Sequence, residues 1–551
     1  MSQITNFLKK NKIFLLFCIM GILTLYPFLL TISSSFNYLD WQTYETFNFI
    51  KYIFSLWKTN AIFNPAPLYI FVYYLSSLTS GYSNTLYFLL LFTLGGFWFY
   101  KNYEENDKLG LAALYGILLV FNPFVYERIM MGQWGVVAST VLLPIFLYYM
   151  FKYFKEPTNH NLIQLVIGFM VSSIHQIHFF VINLGLLILY FLLRQCSLVT
   201  ELKQDKEKLK SEVTTFGKVL LILFIVNLYW IVPYIYIKLS GSQNIIDTID
   251  YSHLQFFTSR PSSGDNTLFL NSAMYGSWRE KSMILAKDHL PDYVFIMIFF
   301  VFIYLMVRGF LTDPENLENR FLIIMWIVGL LLATGISHPW TKNFFVWLFE
   351  NIHLFSGFRD SNKFVALVVV SYAILGAKGL KDVLDDKKNK VKGIILTLVL
   401  AMIIVYNYPQ IGLHNQLHPI SYPKCYSNLN AYLNTLPEDA KIIYLPWHIY
   451  ITYNWSIPAG IDGRISNPIN RVVDRYIITG AHPTDFGILT GEAVEIDECI
   501  KTESVDCLRE KHVNYVIFDK TAMIPMRQVY GWITNQTISY EDECVIVYLL
   551  N

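Results

Sequence analysis

Ile13 to Ser33 reads IFLLFCIMGILTLYPFLLTIS, an uncharged run preceded by Lys9, Lys10 and Lys12. Asp40 follows shortly after it and is the first acidic residue of the chain. An α-helix rises about 1.5 Å per residue, so a run of this length covers the ~30 Å hydrocarbon core of a bilayer. Lysines before an apolar run also begin secretory signal peptides. This run is longer than a signal core, and no small-x-small cleavage site follows it. It therefore reads as a retained anchor.

The pattern then recurs. Apolar runs fall at about 84–101, 109–123, 131–151, 160–176, 178–194, 217–238, 293–310, 320–337, 363–380 and 393–408, eleven spans with the first. Hydrophobic residues make up 54% of the chain and charged residues 15%, against about 25% charged in a soluble domain. The fold class is a polytopic α-helical membrane protein. The net charge of +1 implies no polyanionic partner, nucleic acid included.

A twelfth apolar stretch, 63–79, is short and broken by Pro65 and Pro67. Charge decides how to read it. With eleven spans and a cytoplasmic N-terminus, one side receives Lys101, Lys108, Lys152, Lys155, Arg194 through Lys210, Arg308, Arg320 and Lys378 through Lys392. That is the distribution expected of cytoplasmic loops. Counting 63–79 as a span would move the two most basic loops outside, so it reads as a helix lying on or dipping into the membrane. Residues 41–57 space Trp41, Tyr44, Phe47, Ile50, Ile53, Phe54 and Trp57 along one helical face, the signature of an interfacial helix. Asp40 stands at its start.

Beyond Pro409 the composition becomes that of a soluble domain. Ser427–Leu436 and Glu498–Lys511 read as helices, and Lys441–Pro446, Asn514–Phe518 and Val545–Leu550 as strands, a small α/β domain. The chain thus divides into a spanning domain, 1–408, with juxtamembrane helices in 41–79, and an extracytoplasmic domain, 409–551. Cys425, Cys499, Cys507 and Cys544 all lie in the latter, and an even number outside the cytoplasm permits disulfides. Cys499 and Cys507 are no pair within one unbroken helix.

This topology gathers the unusual polar residues on the outer face. Asp40 suits a helix N-cap and equally a general base or metal partner at the membrane surface. Glu127 and Arg128 read either as an ordinary interfacial pair at a helix end or as part of a site. Arg128, Arg359 and Lys363 put positive charge where little is expected. A lipid phosphate needs such charges, and the arginine fork can bond two of its oxygens. Gln133 lies beside them in Gly132-Gln133-Trp134-Gly135. His175 and His178 are candidates to orient a phosphate or ligate a metal, although their spacing matches no zinc motif. Trp447, His448, Tyr450 and Tyr453 are candidates to stack on a sugar, or simply to pack. The middles of the spans hold Ser139, Thr140, Gln164, Asn183 and Asn227 but no charge, unlike ion-coupled transporters. No P-loop, GxGxxG or nucleophile elbow stands out, so nucleotide-dependent chemistry has no local support.

The chain resembles the GT-C superfamily of membrane glycosyltransferases, in particular the YfhO-like and arabinofuranosyltransferase-like proteins of bacteria and archaea. The resemblance rests on Asp40 in an outer loop with juxtamembrane helices, on Asn122-Pro123-Phe124-Val125-Tyr126-Glu127-Arg128 with Gly132-Gln133-Trp134-Gly135, on Phe358-Arg359-Asp360-Ser361-Asn362-Lys363-Phe364, and on Leu445-Pro446-Trp447. It implies a multi-pass protein of the plasma membrane. It also implies a polyprenyl-phosphate-linked sugar as donor, a glycan or protein as extracytoplasmic acceptor, and Asp40 as the catalytic carboxylate. The assignment of Arg128, Arg359 and Lys363 to the donor phosphate is our own. The first loop has one aspartate rather than an obvious acidic pair, Glu45 lying five residues on, so participation of a divalent metal is left open. Two other classes compete: a lipid or polysaccharide transporter, and a non-catalytic scaffold in which Asp40, Arg128 and Arg359 would lie far apart.

Overall fold

The computed structural model describes residues 12–29, 82–103, 111–201, 206–239, 249–259, 266–385, 387–412, 420–457, 463–481, 489 and 492–550. The juxtamembrane helices expected in 41–79, and Asp40 with them, lie outside these residues.

Each of the eleven expected spans coincides with a helix. They are α1 (Lys12–Leu29), α2 (Tyr82–Tyr103), α3 (Leu111–Val120) with α4 (Pro123–Met130), α5 (Trp134–Lys155), α6 (Asn159–Ser173), α7 (Ile177–Glu201), α8 (Lys206–Val226) with α9 (Leu228–Leu239), α10 (Asp292–Leu311), α11 (Leu317–Thr334), α13 (Val365–Leu384) and α14 (Asn389–Tyr406). An additional helix, α12 (Pro339–Asn351), follows α11. Seven stretches among the described residues are long and apolar enough to cross a membrane. The chain is a multi-pass membrane protein.

Residues 123–130 are helical, where a loop was expected between the third and fourth spans. Pro123 lacks an N–H and crowds the preceding turn, so α3 must stop before it, while its fixed φ suits the first position of a new helix. Asn122 serves both ends. Its Nδ2 donates to Leu118 O and Leu119 O at 2.9 and 3.0 Å, and its Oδ1 accepts from Val125 N at 3.0 Å. Gln410, just beyond α14, completes the break: its Nε2 donates to Val120 O at 2.9 Å and its Oε1 accepts from Asn122 N at 3.2 Å. A helix broken away from water needs such substitutes for its lost bonds.

α13 is the pillar of the bundle, and nearly all of it is buried. It approaches α10 through paired glycines. A Cβ on Gly309 would sit 1.8 Å from Leu375 O, and one on Gly379 1.9 Å from Leu305 O. Small residues are what allow helix backbones to meet in a membrane, where apolar burial drives little association.

The two ends of the bundle differ in chemistry. At one end Lys155 pairs with Glu318, Arg194 with Glu212 and Arg308 with Asp382, and Lys378 donates to Asn319. These are helix ends that the charge pattern assigns to one face. The Arg128 and Lys363 turns lie at the other end.

In the C-terminal region α15 (Cys425–Leu433), β1 (Lys441–Leu445), β2 (Tyr450–Thr452), β3 (Arg464–Ser466), α16 (Glu492–Lys501), α17 (Val505–Glu510), β4 (Val513–Asp519), β5 (Thr537–Glu541) and β6 (Val545–Leu549) follow. The sheet order is β1-β4-β6-β5, with β1 parallel to β4 and the other pairs antiparallel; β2 and β3 form a separate hairpin. The single helix expected at 498–511 is instead two. Glu503 adopts a positive φ, and Ser504 caps α17 by accepting from Cys507 N at 3.1 Å. That reversal brings Cys499 and Cys507 together in a disulfide; Cys425 and Cys544 form a second. The sugar-stacking reading of Trp447 and Tyr453 is also corrected, since both are buried in packed cores. Trp447 lies over Gly480, and its Nε1 donates to Asp497 at 2.9 Å. Tyr450 packs against the core of the helical bundle, so the β2–β3 hairpin is a point of contact between the two regions.

Two outcomes follow. Cys544→Ser should lower the stability of the C-terminal region by about 2–4 kcal/mol, read as faster proteolysis of the folded protein. Gly379→Ala should cost about 1–3 kcal/mol, read by thermal unfolding in detergent.

Candidate functional site

Glu127 and Arg128 are consecutive on α4 and both fully buried, yet they face different partners. Nη1 of Arg128 donates to Gln133 Oε1 and to Asp360 Oδ2, each at 2.5 Å; Nη2 donates to Asp360 Oδ1 at 3.3 Å and to Asn362 Oδ1 at 2.5 Å. The guanidinium also lies 5.1 Å from the Phe124 ring. Both terminal nitrogens of this enclosed fork are engaged by protein oxygens, while the buried Nε has no hydrogen-bond partner among the described residues, and the fork clamps α4 to the turn that precedes α13.

That turn consists of two short 3-10 segments, His353–Arg359 and Ser361–Phe364, with Asp360 between them. It is held from three sides. Ser361 Oγ donates to Ala333 O at 2.9 Å, and Asn362 Nδ2 donates to Asn271 Oδ1 and Tyr275 O, each at 3.2 Å. Gly276 passes so close, at φ 107°, that a Cβ there would lie 2.2 Å from Asn271 Oδ1. Only glycine suits both conditions.

Lys363 Nζ lies 3.9 Å from Asp360 Oδ2 and 3.4 Å from His178 Nε2. His178 Nε2 donates to Gly357 O at 2.7 Å, and its Nδ1 accepts from Gln176 Nε2 at 2.9 Å. Burial pushes the Asp360 carboxyl up, but Arg128 and Lys363 outweigh it and hold the group below its ordinary value. Among the described residues the Asp360 carboxylate thus stands between two cations, Arg128 and Lys363. Arg359 is half-buried, with its guanidinium 4.6 Å from the Phe257 ring.

Glu127 joins a second cluster. Its Oε2 accepts from Ser277 N at 3.2 Å, and its carboxyl is within hydrogen-bonding reach of Glu280. Glu280 Oε1 accepts from Gly276 N, and Oε2 lies 3.2 Å from Lys287 Nζ. Two carboxyls brought close together away from water disfavour the state in which both are ionised. Burial raises the Glu280 pKa above its ordinary value despite Lys287. His175 is apart from both clusters, with Tyr87 Oη 3.0 Å from its Nδ1 and Trp134 packed beside it. The two histidines offered as metal ligands are thus engaged separately.

Of the outer-face residues singled out from sequence, Arg128, Gln133, His178, Arg359 and Lys363 converge on one turn. Glu127 and His175 flank it, and Asp40 lies outside the described residues. Sequence reasoning gave no role to Asp360, Asn362 or Lys287, and placed Glu280 only among the polar residues of the outer loop at 239–290. Asp360 and Asn362 stood inside a quoted motif, and an acid between Arg359 and Lys363 was itself a signal that one of the cations is already paired.

The fold is similar to that of a solved membrane glycosyltransferase, the arabinofuranosyltransferase AftD from Mycobacteria. The cryo-EM structure of that enzyme superposes with a TM-score of 0.60 at 11% identity, covering 97% of this chain and 40% of that one. A mutant form of the same enzyme gives the same TM-score and identity, with 41% of its chain covered. This chain thus spans about two fifths of the length of AftD. The GT-C-like fold expected from the sequence motifs is the fold observed. No family model and no curated protein matches the sequence.

Asp360→Ala should leave Arg128 buried without its counter-charge and cost about 3–5 kcal/mol, measured by thermal unfolding. Glu280→Gln should be far milder, because an amide can donate to Glu127 without adding charge. Its pH dependence carries the sign. With Glu280 raised in the folded state, the unfolded chain ionises first as pH rises, so wild-type stability declines from the ordinary glutamate pKa upward until the folded pair ionises. That decline should shrink in Glu280→Gln.

Proposed function

We propose that this chain is an integral-membrane glycosyltransferase that moves a sugar from a polyprenyl-phosphate donor to an acceptor hydroxyl on the extracytoplasmic face. The observation that carries the reading is the likeness in fold to a membrane arabinofuranosyltransferase over 97% of the chain. Arg359 and Lys363 stand on the one turn that Arg128 clamps, which supports the reading by holding two cations together where a lipid phosphate could be met.

In this reading the Asp40 carboxylate takes the proton of the acceptor hydroxyl. The acceptor oxygen forms a bond to the anomeric carbon, the bond from that carbon to the phosphate oxygen breaks, and the lipid phosphate leaves with the electron pair. Arg359 and Lys363 stabilise the charge that develops on it. Arg128, enclosed by Asp360, Asn362 and Gln133, acts as a positioning residue that holds the Lys363 turn at the end of α4. Gln176 and Gly357 orient His178 against Lys363. The N-terminus is cytoplasmic by the distribution of lysine and arginine. Residues 409–551 are extracytoplasmic, where the disulfides Cys425–Cys544 and Cys499–Cys507 would persist.

The test is transfer from a panel of polyprenyl-phosphate sugars by membranes containing the protein. Asp40→Asn should lower transfer by about 10²–10⁴-fold, the usual contribution of a positioned acid or base. Lys363→Met should raise the KM for the lipid donor. Transfer by Asp40→Asn at the wild-type rate would remove Asp40 from the mechanism.

A further inference from the structure

α12 has three faces rather than two. Thr341, Phe345 and Phe349 are buried against the protein. Trp340, Phe344 and Trp347 are 88%, 58% and 54% exposed. Lys342, Asn343 and Glu350 are also exposed. At about 100° per residue these sets occupy three separate sectors of the helix: packed, aromatic and polar. In water the aromatic sector would leave two tryptophans and a phenylalanine uncovered. In hydrocarbon the polar sector would strand two charges. Only the boundary between them suits all three sectors at once.

The connectivity puts α12 at such a boundary. It joins the end of α11 to the start of α13, both long and apolar enough to cross a membrane, so it must lie at the membrane face where those two helices end. It is anchored there: Pro339 opens it, His338 Nδ1 accepts from Trp340 N at 3.3 Å, and Thr341 Oγ1 donates to Gly335 O at 2.7 Å. Ile327 and Leu331 of α11 are exposed, an apolar surface at the end of the helix that leads into α12. The packed sector continues inward through aromatic rings. Phe345 lies 5.3 Å from Phe355, Phe355 5.1 Å from Phe358, and Phe358 5.0 Å from His178.

We propose that α12 is an interfacial seat, with Trp340, Phe344 and Trp347 inserted among bilayer lipids at the headgroup–acyl boundary. The occupant of the aromatic face is lipid, not protein or water. Through Phe345, Phe355 and Phe358 the seat holds the turn bearing Arg359 and Lys363 near the depth of the lipid phosphates. The inference stands apart from the glycosyl-transfer reading, and its test uses no sugar transfer.

The full chain is reconstituted in phosphatidylcholine vesicles whose acyl chains carry bromine either close to the headgroup or near the chain end. Tryptophan emission is compared between wild type and the double variant Trp340→Phe, Trp347→Phe. Trp340→Phe alone, at the more exposed position, serves if the double variant loses thermal stability. The emission removed by substitution should be quenched most by the shallow bromines, less by the deep ones, and little by aqueous iodide. Quenching by iodide with no response to brominated lipid would put the face in water. Resistance to both quenchers would mean that protein covers it. Stronger quenching by the deep bromines would make α12 a buried span. Each of these three results overturns the proposal.

Discussion

The contact between Arg128 and Asp360 joins segments 232 residues apart in the chain. It is buried at both partners, and everything around it depends on both charges being present. Burying two ions is costly, and their attraction repays the cost only when the remaining donors and acceptors are also met. Here Gln133 and Asn362 share the terminal nitrogens of Arg128 with Asp360, and Lys363 stands behind Asp360. Such a pair adds less to net stability than to uniqueness: with its charges enclosed, α4 and the turn before α13 have one low-energy register.

The helix break at Asn122 makes that geometry available. A continuous α3 would carry Glu127 and Arg128 along the axis set by residues 111–120. Pro123 stops the first helix and restarts another, and Asn122 and Gln410 replace the bonds that were lost. The restart sends Arg128 toward Asp360 and Glu127 toward Glu280. Two adjacent residues thereby serve two clusters, one built around the Arg128–Asp360 ion pair and one around the carboxyls of Glu127 and Glu280.

The C-terminal region follows soluble rules beside a bundle that follows membrane rules. Its strands alternate with short helices, its aromatic residues fill cores, and two disulfides tie α15 to the turn before β6 and α16 to α17. The Glu503 reversal was invisible to a pattern-based reading, because Glu498–Lys511 keeps helical periodicity throughout. A positive φ at a single non-glycine residue decided otherwise, supported by the Ser504 cap.

The spans were legible because the constraint that makes them is local. A chain in hydrocarbon must satisfy its backbone within each segment, so length and apolarity alone announce each helix. The charge asymmetry that sorted their ends was legible for the same reason, and the ion pairs at one end of the bundle follow it. Charge on the outer face grouped Arg359 and Lys363 with Arg128 from sequence, and the Arg128–Asp360 contact brings the turn that carries them against α4. What the sequence could not contain was the pairing itself. Arg128 reads as a phosphate ligand until Asp360 is brought against it, and Glu127 reads as its ion-pair partner until its carboxyl is found bonded to Ser277 N. Those contacts depend on where distant helix ends meet, and only the packing of α4, α10, α11 and α13 determines that.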